Sequence, residues 1–172
     1  MKTIKKGILL LAAALFISGF GFAQSTLKIG YINSSKLMGT MPAADSAQTQ
    51  VKIYATGLQK QMQSMAQEYQ SKVQSYQSNV GTMSDLIRQT KEKEISDLQQ
   101  RIQAFQASAD KDVQKKQQEL FQPIIAKVKA AIDAVGKEYG YTYILDVSQG
   151  VVLYYAAGND VTPLVKKKLH LK

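Results

Sequence analysis

The sequence predicts an α+β fold in which a long antiparallel helical hairpin, a coiled-coil arm, stands on a small β body that associates with further copies of itself. Three observations predict it. Apolar residues recur at helical spacing from Val51 to Val80 and again from Ile87 to Tyr139. A cluster of cap and turn residues, Ser78 to Asp85, separates the two runs. Short stretches of period-two alternation lie on either side of this helical block, in Leu27 to Ile32 and Tyr141 to Tyr155.

Composition removes most catalytic chemistry. The 172 residues include no Cys, which excludes disulfide frameworks, thiol catalysis, Cys-ligated zinc and iron–sulfur centres. The lone His170 leaves the usual general base in short supply. Only three prolines in a Gln-rich chain favour long uninterrupted helices, and the length suits one domain with an appendage.

Residues 1–23 are expected to be a cleaved secretory signal peptide. Lys2, Lys5 and Lys6 precede an apolar run from Gly7 to Phe22, and Gly21-Phe22-Ala23 places small residues before Gln24. The run is too short for a spanning helix, which argues against an anchor. Cleavage removes three lysines and no acid, so the formal charge falls from +9 to +6. An exported basic chain points to acidic proteins or an anionic envelope surface, here through body lysines such as Lys127, Lys129, Lys137 and Lys166 to Lys168, and not to nucleic acid.

Leu27, Ile29 and Tyr31 share one face of an opening strand, and Lys28, Gly30 and Ile32 the other. Asn33 to Ser35 cap a brief helical turn through Met38, and Pro42 suits the first turn of the next helix. From Ala43 to Asn79 that helix would reach ~55 Å. Its stripe contains an eleven-residue element, Met65 to Tyr69 to Val73, that relaxes left-handed supercoiling. Past the tip the returning helix carries Pro123, which predicts a kink or break near Gln122 and a hinge between arm and body. Tyr141 to Asp146 and Val151 to Tyr155 read as a hairpin, giving three strands per chain, and Pro163 opens a last helix from Leu164 to Leu169. The organisation is therefore a body of residues 24–41 and 124–172 and an arm of residues 42–123. Its strands and short elements are too few to bury a core alone and leave sheet edges open, so a closed assembly of identical bodies is expected.

The motifs Lys28-Ile29-Gly30-Tyr31-Ile32-Asn33, Tyr141-Thr142-Tyr143-Ile144-Leu145-Asp146, Gly150-Val151-Val152-Leu153-Tyr154 and Asp160-Val161-Thr162-Pro163-Leu164-Val165-Lys166, in this order around a long helical hairpin, resemble the Skp/OmpH family of periplasmic chaperones. The resemblance covers the mature chain. It implies a homotrimer, a small β-barrel built from the strands of three subunits, and three arms around a cavity. It also implies an ATP-independent holdase, without cofactor or metal, that keeps unfolded outer-membrane β-barrel proteins soluble in the periplasm.

Holding varied clients calls for adaptable apolar contacts. Met62, Met65, Tyr69 and Tyr76 lie on the stripe and are expected to form helix–helix core. Ile53, Leu86, Phe121 and Ile125, off the stripe, together with Met83, are the client-binding candidates. In charge the chain departs from the family's markedly basic arms: Asp45 to Gln122 holds ten basic and nine acidic residues, so no lipopolysaccharide site is carried over. Lys91-Glu92-Lys93-Glu94 reads as a solvated face with local ion pairs such as Arg88 to Glu92. The alternative is a structural coiled-coil scaffold of the envelope without clients. An enzyme is disfavoured, because Asp133, Asp146 and Asp160 show no metal-ligand spacing and Ser148 lacks a nucleophile-elbow glycine.

Overall fold

The computed structural model describes residues 27–171, so the expected signal peptide lies outside the described residues. In chain order the elements are β1 (Ile29–Ile32), α1 (Ser34–Met38), α2 (Pro42–Asn79), a 3₁₀ turn (Val80–Thr82), α3 (Asp85–Tyr139), β2 (Tyr143–Asp146), a second 3₁₀ turn (Ala157–Asn159) and α4 (Thr162–Lys168).

Local chemistry sets most of these boundaries. The Asn33 side chain accepts a hydrogen bond from Lys36 N and starts α1. Pro42 occupies the first turn of α2, where its missing N–H costs nothing. Ser84 caps α3 by accepting from Ile87 N. Gly140 ends that helix in the left-handed region at φ 68°, and its N–H returns to Gly136 O. Lys28 Nζ also donates to Tyr139 O at 2.7 Å, placing a cation on the last carbonyls of α3.

α2 and α3 pack antiparallel as the expected hairpin. At 38 and 55 residues they run ~57 Å and ~82 Å. The break expected at Gln122 is absent: α3 is one helix through Pro123. Pro123 is exposed while Ile124 and Val128, just beyond it, are buried. The missing hydrogen bond thus falls on the solvent side, where water satisfies the freed carbonyl, and the buried neighbours hold the helix in line.

The strands correct the sequence reading. β1 and β2 form a two-stranded parallel sheet with Ile29 opposite Tyr143 and Ile32 opposite Asp146. The whole helical hairpin serves as the crossover that parallel pairing requires. Among the described residues the expected third strand is not formed: Val151 to Tyr155 has no ladder partner there. Tyr155 instead packs on the Tyr31 ring at 4.3 Å between centroids, and Asp160 bridges to Tyr31 on the free side of β1. The chain therefore passes across the sheet on its way to α4 rather than turning back along β2.

One cluster of twelve buried residues joins these pieces: Ile32 from β1, Leu37 and Met41 around α1, Ala44 and Ala47 from the start of α2, Ile124, Val128, Ala131 and Val135 from the end of α3, and Val161, Val165 and Leu169 in and around α4. Gly30 allows the tight approach this needs. A Cβ there would stand 2.7 Å from Val161 Cγ1 and 2.9 Å from the Tyr141 ring. Each fully buried Val, Leu or Ile contributes about 1.5–3 kcal/mol.

Candidate functional site

The hairpin is thinly packed beyond this cluster. Val51, Met65 and Leu98 are the remaining buried side chains among the described residues. Met62, Tyr69 and Tyr76, expected as helix–helix core, are only half-buried. Two apolar openings therefore interrupt the seam between α2 and α3, and a third, polar one of about 250 Å³ lies toward the tip among Ser71, Lys72, Ser75, Lys91, Glu94 and Ile95. The first, about 570 Å³, has a floor of Ala55, Leu58, Met62, Ala109 and Val113 and a rim of Gln59, Gln106, Asp110 and Gln114. The second, about 350 Å³, has a floor of Ala66, Tyr69 and Ile102 and a rim of Gln70, Gln99 and Gln103. Alanine leaves the gap at both, since it cannot reach across to the facing helix.

Toward the tip, polar pins replace packing. Lys72 Nζ donates to Glu94 Oε2 at 3.0 Å across the hairpin, and Lys91 reaches the same carboxylate at 3.2 Å. These two bonds hold the Glu94 carboxyl below the ordinary glutamate range. The Tyr76 hydroxyl donates to Glu92 across the same gap, and that bond raises its pKa. The expected pair of Arg88 with Glu92 is not made: Arg88 pairs with Asp85 at the helix start, leaving Glu92 to Tyr76.

The candidate client-binding residues do not converge. Leu86 is 75% exposed and stands with half-buried Met83 at the hairpin tip. Ile53 is 66% exposed on α2. Phe121 packs partly against the core cluster. Ile125, one turn on, is 44% exposed and opens into a groove of about 710 Å³ between α3 and β2, lined also by Met38, Ile132, Tyr141 and Ile144. Pro123 lies between these last two on α3.

The sheet exposes a separate apolar surface. Leu27, Ile29, Tyr143 and Leu145 lie on its outer face, exposed by 39% or more. Val151, Leu153 and Tyr154 are 80–94% exposed just beyond. Among the described residues β2 pairs along one edge only. Thr142, Ile144 and Asp146, in and just before β2, line the groove holding Ile125.

The carboxylates weighed for catalysis are occupied structurally. Asp133 pairs with Lys137 at 2.7 Å, and Asp160 accepts from Thr162 N at 2.8 Å before α4. Asp146 accepts from Ser34 N at 3.2 Å, from Ser34 Oγ and from Ser148 N at 2.9 Å, tying the end of β2 to the start of α1. Burial pushes its carboxyl up, but these hydrogen bonds outweigh burial and hold it below the ordinary range. Among the described residues no group of three or more His, Asp or Glu could hold a metal ion, and no helix is long and apolar enough to cross a membrane.

The family model described as outer membrane protein (OmpH-like) matches residues 28–169, spanning both strands, the hairpin and α4. The chain belongs to the OmpH-like family. Relatives of this OmpH-like chain include the chaperone protein Skp of Pectobacterium atrosepticum, 25% identical over 96% of this chain and 99% of that protein. Another is the chaperone protein Skp of Photorhabdus laumondii, 26% identical over 93% and 98%. A crystal structure of an OmpH-like protein from Caulobacter crescentus superposes with a TM-score of 0.72 at 12% identity, covering 82% of each chain, which establishes a shared fold. The family is one of Skp-like chaperones and not of enzymes.

The motifs at the two ends of the chain carried this assignment at the level of sequence. The two openings in the OmpH-like hairpin were missed there. Their signal was Ala55, a small residue where the stripe needs a large one, with Ala66 eleven residues on.

Proposed function

We propose that the protein is an ATP-independent periplasmic holdase, a homotrimer whose three arms bind unfolded outer-membrane β-barrel proteins between them. The observation that carries the reading is the contrast within one chain between a closed core at one end and a long hairpin with open, half-filled apolar seams. Such a surface offers many weak dispersion contacts to a chain that has no fixed shape. Family membership and the Skp chaperones among the relatives support it.

In this reading residues 24–41 and 124–172 form the trimerisation body and residues 42–123 the arm. The open outer face of the sheet, the single-edged β2 and the exposed Val151 to Tyr155 segment are what a closed three-body barrel would cover. Ile53, Met83, Leu86, Phe121 and Ile125 contribute client contacts, and Pro123 is the hinge. Secretion through residues 1–23 delivers the chain to its compartment, and the body lysines face an anionic envelope surface.

Sedimentation of the mature protein alone, and after dilution of a urea-unfolded outer-membrane β-barrel into it, tests the reading. A threefold protomer mass that gains one client and keeps it soluble is expected. A trimer that ignores the client would leave an envelope scaffold, and a monomer would overturn the architecture. Because the arm holds ten basic and nine acidic residues, client affinity falls only weakly with rising salt. A steep loss would show that charge, and not apolar contact, holds the client.

A further inference from the structure

The two apolar openings in the hairpin seam are copies of one another. Ala55, Leu58 and Gln59 line the first on α2, and Ala66, Tyr69 and Gln70, each eleven residues on, line the second. On α3, Gln99, Ile102 and Gln103 line the second, and Asp110, Val113 and Gln114, again eleven residues on, line the first. Eleven residues make just over three whole turns, so the repeat returns to the same side of each helix. Both openings therefore face one way, ~16 Å apart along the hairpin.

We propose that these openings are paired slots, each taking one apolar side chain of a single extended polypeptide segment. The inference rests on the holdase reading and assigns its contacts to a site. The floor of each slot is apolar and too narrow in side-chain volume to close on itself. Each rim is built from glutamine amides, which both donate and accept and so can bond the backbone of any bound segment. Asp110 is the single charged group in the two linings, so neither sign of client charge is strongly excluded. An unfolded polypeptide is the occupant with that chemistry: apolar side chains at intervals on a string of neutral amides.

Geometry makes the pairing testable. At ~3.3 Å per residue, a segment needs about five residues to span ~16 Å. Two phenylalanines six apart can fill both slots, whereas two placed two apart reach only one. Linked engagement raises avidity without new contacts. We therefore expect a labelled Thr/Gly-rich peptide with Phe at positions i and i+6 to bind the purified protein, by fluorescence anisotropy, at least ~10-fold more tightly than its i, i+2 isomer. Filling a slot by Ala55→Leu or Ala66→Leu keeps helix propensity and should remove that advantage in either variant.

Equal affinity for the two peptides on the unmutated protein overturns the proposal, and this measurement needs no variant to fold. So does an advantage that survives both fillings. Concentration-dependent self-association of the protein that disappears on filling would assign the slots to a second copy and also overturn it. Suppression of client aggregation, measured alongside, separates the two readings. If clients are held while the peptides do not discriminate, the slots fall and the holdase reading stands; if no client is held, both fall.

Discussion

The two ends of this molecule are stabilised differently. At one end twelve buried side chains from five elements close on each other, while along the rest of the hairpin only Val51, Met65 and Leu98 are buried among the described residues. The first region has a unique solution because each of its residues is over-determined by neighbours. The second is held by pattern, caps and a few polar pins, and its seam is left partly unfilled. In the proposed holdase this division would put rigidity where subunits meet and slack where clients vary.

The comparison breaks most sharply on a matched pair of truncations. Leu37, 1% exposed, is expected to cost about 2–5 kcal/mol on change to Ala. Leu58→Ala, at the floor of the first slot, should cost at most ~1 kcal/mol, because the site is already open. Urea unfolding followed by circular dichroism at fixed protein concentration measures both. Similar losses would mean that the hairpin is as tightly packed as the core.

Gly30→Ala tests the core from the opposite side, by crowding. Its new methyl would lie 2.7 Å from Val161 Cγ1 and against the Tyr141 ring, and β1 is anchored on both sides. A loss of about 1–3 kcal/mol is expected, with Gly57→Ala on the exposed face of α2 as a control that should stabilise. A neutral Gly30→Ala would show that β1 can shift outward.

How much of this was legible in the sequence follows the same division. The hairpin was readable from residue spacing, since Val51 to Val80 and Ile87 to Tyr139 repeat at helical period and Ser84 and Pro42 mark starts. The body was only half readable. Alternation correctly placed Ile29 to Ile32 and Tyr143 to Asp146 in strands, but periodicity cannot say which strand pairs with which, and Val151 to Tyr155 alternates just as well without pairing among the described residues. Pro123 failed as a helix stop because its cost depends on which side of the helix it faces. The slots were hidden because a stripe reading counts Ala55 as apolar without asking whether it fills space, and because Ala66, next to Met65, lies off that stripe.

A hinge at Pro123 would join the two regions. α3 runs through it unbroken, so any flexing there comes from one missing hydrogen bond and not from a gap in the helix. Restoring that bond by Pro123→Ala is expected to narrow the distance distribution between spin labels at Ser78, near the tip, and at Asp133, beyond the proline. An unchanged width would move the compliance of the arm out to the open seam.

The smallest effect concerns the pins near the tip. Glu94 accepts from Lys72 across the hairpin and from Lys91 on its own helix, and its carboxyl is held below the ordinary glutamate pKa. A lowered folded pKa means that the contribution of these bonds is present in full above the ordinary glutamate value, ~4.3, and is lost as pH falls through the lowered one. Both side chains are still more than a third open to solvent, so screening keeps the contribution small, and neutral-pH stability should barely change in Glu94→Gln. The effect is sought in local order instead: carboxyl carbon shifts of Glu94 titrate below the free-peptide range, and amide signals of Ser71 to Ser75 broaden over the same pH interval. In Glu94→Gln that broadening disappears as a function of pH. A Glu94 titrating at the free-peptide value would mean that the cross-helix bond to Lys72 does not persist in solution, leaving the Tyr76–Glu92 bond as the polar contact between the helices there.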